Sequence, residues 1–299
     1  MNLSKPQINR ISFQGDDAVE IVTPSFRLVA VVSRGPRIAF FSKPGTENLL
    51  LWTPGKYKRG NWDLMGGHRH WLARPGADEA EETYAADNQP CTLEIEADGV
   101  VITGAADPLL KVVRGMAIRV VGNDRLEIDH FSKNVGEMLF SCHPWALTCS
   151  IPTPTTSYVI PLGDDSSWDT ATVVSFKTWG GGHKGGYNDD QFSFTDDALI
   201  VRSAGRENKR MIRADLGIIA LRDPKRDVLF AKRAVYQPDG AYPLNTNIAV
   251  YTGPESFMVE METMGPAHAL KPGQSAHYVE TWLLRPLTAE ADQMRTLFG

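Results

Sequence analysis

Short runs rich in Val, Ile and Phe, each ended by a turn signal, recur along nearly the whole chain. "FRLVAVVS", "TLEIEADGVVITG", "MAIRVVGNDRLEIDHF", "GIIALRDPKRDVLFAKR" and "IAVYTGPESFMVEMETM" are of this kind, with Asp98-Gly99 and Gly122-Asn123-Asp124 supplying tight turns. A chain so punctuated buries its apolar residues by pairing one hairpin with the next. The pattern therefore predicts an all-β, antiparallel protein with few short helices. Helical periodicity is confined to "TAEADQMRTLF" near the C-terminus, where Thr288 is placed to cap a helix. No repeat of roughly 20 to 50 residues is visible, which disfavours a propeller or solenoid and leaves a sandwich or an open barrel. No linker interrupts the 299 residues, so a single domain spanning 1–299 is expected.

Composition narrows the function classes. A net charge of −5 offers no basic footprint, which argues against nucleic acid as a partner. The N-terminus "MNLSKPQINRISFQG" lacks the apolar core of a signal peptide, and no run approaches the roughly 18 apolar residues of a membrane span. The reading is a soluble, cytoplasmic protein without a membrane partner, although a chain trimmed of its signal would read the same. Cys91, Cys142 and Cys149 form an odd, sparse set with no C-x-x-C spacing, so buried thiols are expected, neither a disulfide framework nor a cysteine metal site.

Three stretches concentrate chemistry-bearing residues. In "MGGHRHWLARPG", residues 65–76, strand alternation would send His68 and His70 to one face and Arg69 and Trp71 to the other. In "FSCHPWALTCSIP", residues 140–152, His143 precedes a proline that fixes the backbone, and satisfaction by nearby carbonyls is its simplest role. In "SFMVEMETMGP", Glu260 and Glu262 alternate with apolar neighbours, so their carboxylates must be paired, solvated on an edge strand, or poised for proton transfer with a raised pKa. The cluster "WGGGHKGGYND", residues 179–189, matches G-x-G-x-x-G literally, but "YNDDQFSF" follows it where a phosphate-cradling loop needs a helix. It reads as a mobile loop with His183 and Lys184 exposed, with a lid as the minority role.

Taken in order, these segments resemble the galactose mutarotase (aldose 1-epimerase) superfamily. "RGPRIAFFSKPGTENLLLW", "GGHRHW", "HPWALT" and "METMGPAHALKPGQSAHYVETWLL" carry the likeness, which covers most of the chain through short motifs. More narrowly, the chain is similar to mutarotase-like proteins that pair "G-G-x-[KR]-x-W" with "E-x-E-x-x-G-P"; Gly66, Gly67, Arg69 and Trp71 fit the first pattern and Glu260, Glu262, Gly265 and Pro266 the second. The resemblance implies a large antiparallel β-supersandwich and a small-molecule carbohydrate as partner, in a monomer or homodimer. It implies His143 as general acid and Glu262 as general base, with His68, His70 and Arg37 near the sugar. "HPWALT" departs from the family by lacking an asparagine after the aromatics, and Met264 stands where a glutamine follows "E-T".

Interconverting two anomers of a pyranose needs one base, to take the proton of the anomeric hydroxyl, and one acid, to protonate the ring oxygen as the ring opens. No metal or organic cofactor is required. Arg69, Lys232 and Asn247 are candidates to bond hydroxyls or a negative group, and Trp71, Trp145 and Trp179 could offer flat faces to the ring, although core packing is the commoner fate of each. Two alternatives stay open: a carbohydrate-binding protein or degenerate epimerase that does not turn its ligand over, and a cupin-like metal enzyme using His68 and His70. A cupin would place a glutamate a few residues after His-x-His, where this chain has Arg74 and Pro75.

Overall fold

The computed structural model describes residues 5–59, 62–73, 85–163, 171–179, 182–287 and 294–298. Two large antiparallel sheets dominate it. The first runs Gln7–Phe13, Asp16–Val22, Arg27–Val31, Arg37–Ser42, His68–Ala73, Phe140–Ser150, Val259–Met264, Ile248–Thr252, Asn208–Arg213 and Thr172–Ser175, with His268–Leu270 paired to one end of Phe140–Ser150. The second runs Phe192–Phe194, Ala198–Val201, Ser157–Pro161, Ile218–Asp223, Val228–Ala234, Ser275–Arg285, Arg125–Asn134, Val112–Gly122, Gly99–Ala106 and Thr92–Ile95. The expected all-β architecture is what the chain adopts. Among the described residues, helical structure is limited to short 3-10 turns. Of the predicted C-terminal helix, residues 288–293 lie outside the described residues, and Met294–Thr296 form one such turn. No helix among the described residues is long and apolar enough to cross a membrane.

Alternation sorts the side chains of each strand between two environments. One set meets the other sheet: Ile21, Leu28, Ile38, Phe41, Ile212, Val250, Val259 and Met261 from the first sheet pack with Ile102, Met116, Ile128, Leu221, Phe230 and Trp282 from the second. The other set of the first sheet points to its outer face, away from the second sheet. There Trp71, Trp145, Leu147, Met211, Ala249 and Met264 form a further apolar cluster. All six residues of Val259–Met264 are buried, because this strand is covered on both faces and flanked on both sides. Glu260 and Glu262 are therefore at the centre of a sheet, and the edge-strand alternative does not apply to them.

The entry to the His68–Ala73 strand is shaped by backbone conformation. Met65, Gly66 and Gly67 all have positive φ, at 49°, 86° and 71°. A side chain on Gly66 would overlap the carbonyl oxygen of Leu51, and one on Gly67 that of Ile38. The paired glycines thus let two neighbouring backbones approach the strand end, through Gly67 N–H to Leu51 O at 2.7 Å and Cys149 N–H to Gly67 O at 2.9 Å.

Candidate functional site

Three strands from distant parts of the sequence lie side by side at the middle of the first sheet. Trp145 pairs with Trp71 on one side and Met264 on the other, and Leu147 pairs with Arg69 and Glu262. Next come Ala249 opposite Glu262, Tyr251 opposite Glu260, and Lys209 opposite Tyr251. The outer face at this point carries Arg69, Trp71, Trp145, Cys149, Glu260, Glu262, Tyr251 and Lys209, a patch of polar and aromatic groups set in apolar surroundings.

Glu262 is its centre. Its side chain is 0% exposed. Oε2 accepts from Trp145 Nε1 at 2.8 Å and from Lys209 Nζ at 3.0 Å, and Lys209 also stands 5.1 Å from the centre of the Trp145 ring. Oε1 is buried with no hydrogen-bond partner. Burial pushes the Glu262 carboxyl up from the usual range; Lys209 opposes this and neighbouring Glu260 reinforces it. One oxygen is thus fixed by two donors while the other is left for a proton or a ligand.

Glu260 is bonded differently. Its Oε1 accepts from Arg69 Nη2 at 2.9 Å and from the Cys149 thiol at 3.3 Å. The Arg69 guanidinium lies 4.0 Å from the centre of the Trp71 ring. Trp71 Nε1 donates to Asp87, which also pairs with Arg114 at 3.0 Å and Arg37 at 3.3 Å. Arg37 donates further to the carbonyls of Leu64 and Gly66, so it pins the glycine turn. One face of each of Trp71 and Trp145 therefore already has a cation against it. Burial pushes the Cys149 thiol up to about 12, which keeps it protonated and unreactive. All three cysteines are free, with Cys142 and Cys149 buried and Cys91 half-buried.

His143 shares the outer face, opposite Ala73. It is buried, with Nδ1 unpartnered, and burial lowers its pKa. It lies four residues along its strand from Leu147, the residue opposite Glu262. At strand rise that is about 13 Å. Trp145 stands between them. His143 and Glu262 are on one face but do not meet across a single sugar ring.

The remaining predicted contacts fall elsewhere. His68 and His70 point between the two sheets, because alternation places them opposite in sense to Arg69 and Trp71, and Lys232 of the second sheet meets them there, sharing Thr148 with His68. There they are members of an internal polar network. Lys232 Nζ donates to Thr148 Oγ1 at 2.8 Å and Met261 O at 3.0 Å and pairs with Glu280 at 2.9 Å, which uses its three protons. His130 Nδ1 lies 2.9 Å from Tyr278 O; since a carbonyl only accepts, that nitrogen carries the hydrogen. His130 Nε2 then accepts from His68 Nε2 at 2.8 Å, and His68 Nδ1 accepts from Thr148 at 2.8 Å. His70 Nε2 bonds Ser132 at 2.8 Å. Asn247 is committed to the backbone of Ala214, through bonds of 2.8 and 2.9 Å.

Among the described residues His68, His130 and Glu280 could be gathered on a metal ion, their ligand atoms lying within 4.8 Å of one another. The arrangement fits a metal poorly. The two imidazole nitrogens that would ligate are hydrogen-bonded to each other, and the Lys232 ammonium holds the carboxylate, so a dication would have to displace a charge already in place. His70 takes no part in the cluster.

The glycine-rich stretch also departs from expectation. Thr178–Trp179 pairs with His183–Lys184 as a small hairpin. Lys184 is exposed as expected, but His183 is half-buried: its ring stacks on Trp179 with centroids 5.3 Å apart, and its Nδ1 bonds Glu207 at 2.8 Å. Lys209, Glu207 and Asp87 were not foreseen. "GRENKRMIR" reads as a charged surface stretch, and no local signal marks Asp87 as the acceptor for two arginines.

No family model and no curated protein sequence matches the chain. Solved structures do match in fold. A galactose mutarotase-like protein from Lactobacillus casei superposes with a TM-score of 0.63 at 11% identity, covering 90% of this chain and 100% of the other. A galactose mutarotase related enzyme from Lactobacillus acidophilus gives 0.60 at 9% identity, with 91% and 98% covered. A galactose mutarotase-like protein from Clostridium acetobutylicum gives 0.58 at 9% identity, with 95% and 99% covered. At such low identity it is the fold that is shared: the chain is a galactose mutarotase-like β-sandwich.

Proposed function

We propose that the outer face of the first sheet binds a carbohydrate and that Glu262 exchanges a proton with it, in a reaction of the aldose 1-epimerase type. The observation that carries this reading is the Glu262 carboxylate, which has one oxygen anchored by Lys209 and Trp145, the other unpartnered, and a pKa raised by burial. A carboxylate whose pKa is raised by burial is a stronger base than a free one, which suits general base work. The base takes the proton of the anomeric hydroxyl and the O–H electrons become the carbonyl π bond. The C1–O5 bond breaks as its electron pair takes a proton from an acid. Rotation about C1–C2 and the reverse transfers close the other anomer, with no net oxidation and no co-reactant. Lys209 and Arg69 are the cations nearest the reacting region, and Lys209 keeps the carboxylate oriented.

A second reading is a carbohydrate-binding protein without turnover. The complete burial of Glu262 and its ion pair with Lys209 favour it, since a paired internal carboxylate also serves simply to hold the sheet centre. One experiment separates the two. Saturation-transfer NMR at the anomeric protons of glucose, galactose, glucose 6-phosphate and glucuronate reports binding and interconversion together. Catalysis requires at least one of these to exchange faster than in buffer, and Glu262→Gln should lower that rate by about 10²- to 10⁴-fold while leaving binding within a few-fold. Binding with no acceleration selects the second reading.

A further inference from the structure

We propose that the acid of this site is His183, carried by the glycine-rich hairpin and held by Glu207, standing over the Glu260 end of the carboxylate row. This rests on the epimerase-type reading above. Glu207 Oε1 accepts from His183 Nδ1 at 2.8 Å and from the Tyr251 hydroxyl at 2.9 Å, while Oε2 accepts the backbone N–H of Lys184 at 3.2 Å. A carboxylate accepts, so Nδ1 carries the hydrogen and Nε2 is left for proton exchange. Those bonds hold Glu207 ionised: burial opposes its charge, yet its pKa lies below the usual range. The imidazole is fixed in orientation as well, with Trp179 stacked at 14° on one face and Tyr251 edge-on at 6.3 Å.

Tyr251 ties this dyad to the site. It pairs with Glu260 on one side and Lys209 on the other, and its ring packs with Trp179, Cys149 and Leu51. Glu260 and Glu262 are two residues apart on one face, a spacing of about 7 Å, so a pyranose lying along the row would have a carboxylate at one end and the imidazole at the other. His143 has neither property: no carboxylate orients it and its Nδ1 is unpartnered. Of the other described histidines, His68, His70 and His130 belong to the network between the sheets, His277 bonds Asp129 on the second sheet, and His268 lies opposite Cys142, at the His143 end of its strand and away from Glu262. In the reaction the His183 imidazolium gives its Nε2 proton to the ring oxygen as C1–O5 breaks and recovers it as the ring closes. Glu207 remains ionised throughout and acts as a positioning residue.

The test uses the full chain and the same four sugars, with wild type, His183→Asn, Glu207→Gln and His143→Asn compared for exchange rate, for dissociation constant from line broadening, and for thermal unfolding. On whichever sugar the wild type turns over, His183→Asn should lower the saturated exchange rate by about 10²- to 10⁴-fold and leave the dissociation constant within threefold. Glu207→Gln should lose less, with the remaining rate still dependent on His183. The half-exposed position of His183 predicts an unchanged unfolding temperature, and His183→Gln repeats the measurement should Asn disturb the hairpin. Wild-type turnover that survives His183→Asn overturns the inference while leaving the epimerase reading intact, as does a loss confined to His143→Asn. No turnover by wild type on any of the four overturns both.

Discussion

At the residue scale the most consequential group is Lys232, an ammonium with no exposure whose three protons meet Thr148, Met261 and Glu280. Burial lowers its pKa and the Glu280 carboxylate raises it back in part. Removing one partner leaves the other charge buried alone, so Lys232→Met should cost about 3–5 kcal/mol. Adding Glu280→Gln should cost much less than a second such loss, because no charge then remains unpaired. Urea midpoints of the two single variants and the double variant measure this, and additive losses would show that the pair is not one unit. The imidazoles of the same network predict an acid sensitivity. Burial holds His68, His70 and His130 below their ordinary value of 6.5. As pH falls below about 6.5 the unfolded chain takes up protons that the native protein refuses, so stability is fully present above that pH and is lost below it. Each proton contributes a slope of about 1.4 kcal/mol per pH unit. Glu262, with its raised pKa, works with the opposite sign and offsets one proton over part of this range. Urea midpoints at pH 7.5, 6.5 and 5.5 should decline below pH 6.5; a constant midpoint would mean that these imidazoles already accept protons in the native state.

At the element scale, the entry to His68–Ala73 explains the "GG" that opens the motif. Gly67→Ala would place a methyl against the Ile38 carbonyl at a positive φ, so a loss of at least about 1–2 kcal/mol is expected from the backbone conformation alone, with the overlap adding to it. Gly45 has a positive φ of 77° but open space around it, and Gly45→Ala should cost only the conformational part. Comparing the two thermal unfolding temperatures separates overlap from φ. The same strand shows what the sequence could reveal. Period-two alternation was enough to put His68 and His70 on one face and Arg69 and Trp71 on the other, and to put Glu260 and Glu262 together. It could not say which face belonged to the inter-sheet core, because both faces of these central strands are covered and apolar residues line each. That ambiguity is why histidines from one face and an arginine and tryptophan from the other were both expected around a single ligand. The His183–Glu207–Tyr251 cluster was illegible for another reason: its members come from a hairpin, the residue just before a strand and a further strand, whose neighbours in space are set by pairing, and nothing in "GGGHKGG" anticipates a carboxylate from "GRENKR".

At the scale of the whole molecule, hairpin order and sheet order diverge toward the C-terminus, and this makes a strong demand on the chain. The early strands pair mostly with their sequence neighbours, as Gln7–Phe13 does with Asp16–Val22. The late strands also pair with distant ones. Val259–Met264 lies between Phe140–Ser150 and Ile248–Thr252 in the first sheet, and Ser275–Arg285 lies between Arg125–Asn134 and Val228–Ala234 in the second. Each late strand is therefore held by at least one segment made much earlier, and Trp282 from the last strand packs against Phe41 across the core and against Phe230 of its own sheet. Without them, Phe140–Ser150 would lose its Val259–Met264 ladder, Lys232 its Glu280 partner, and each sheet would expose new unpaired edges in its middle. A chain ending at residue 258 should consequently fail to reach a packed state, even though it keeps most of the strands. Near-UV circular dichroism and dispersed amide proton resonances are the readouts: the full chain should show both and the shortened chain neither, with aggregation the expected accompaniment. A shortened chain that retained native dispersion would mean that the two sheets are stabilised independently of their closing strands, and the site at the centre of the first sheet would then have to be assembled on a scaffold that already stands without it.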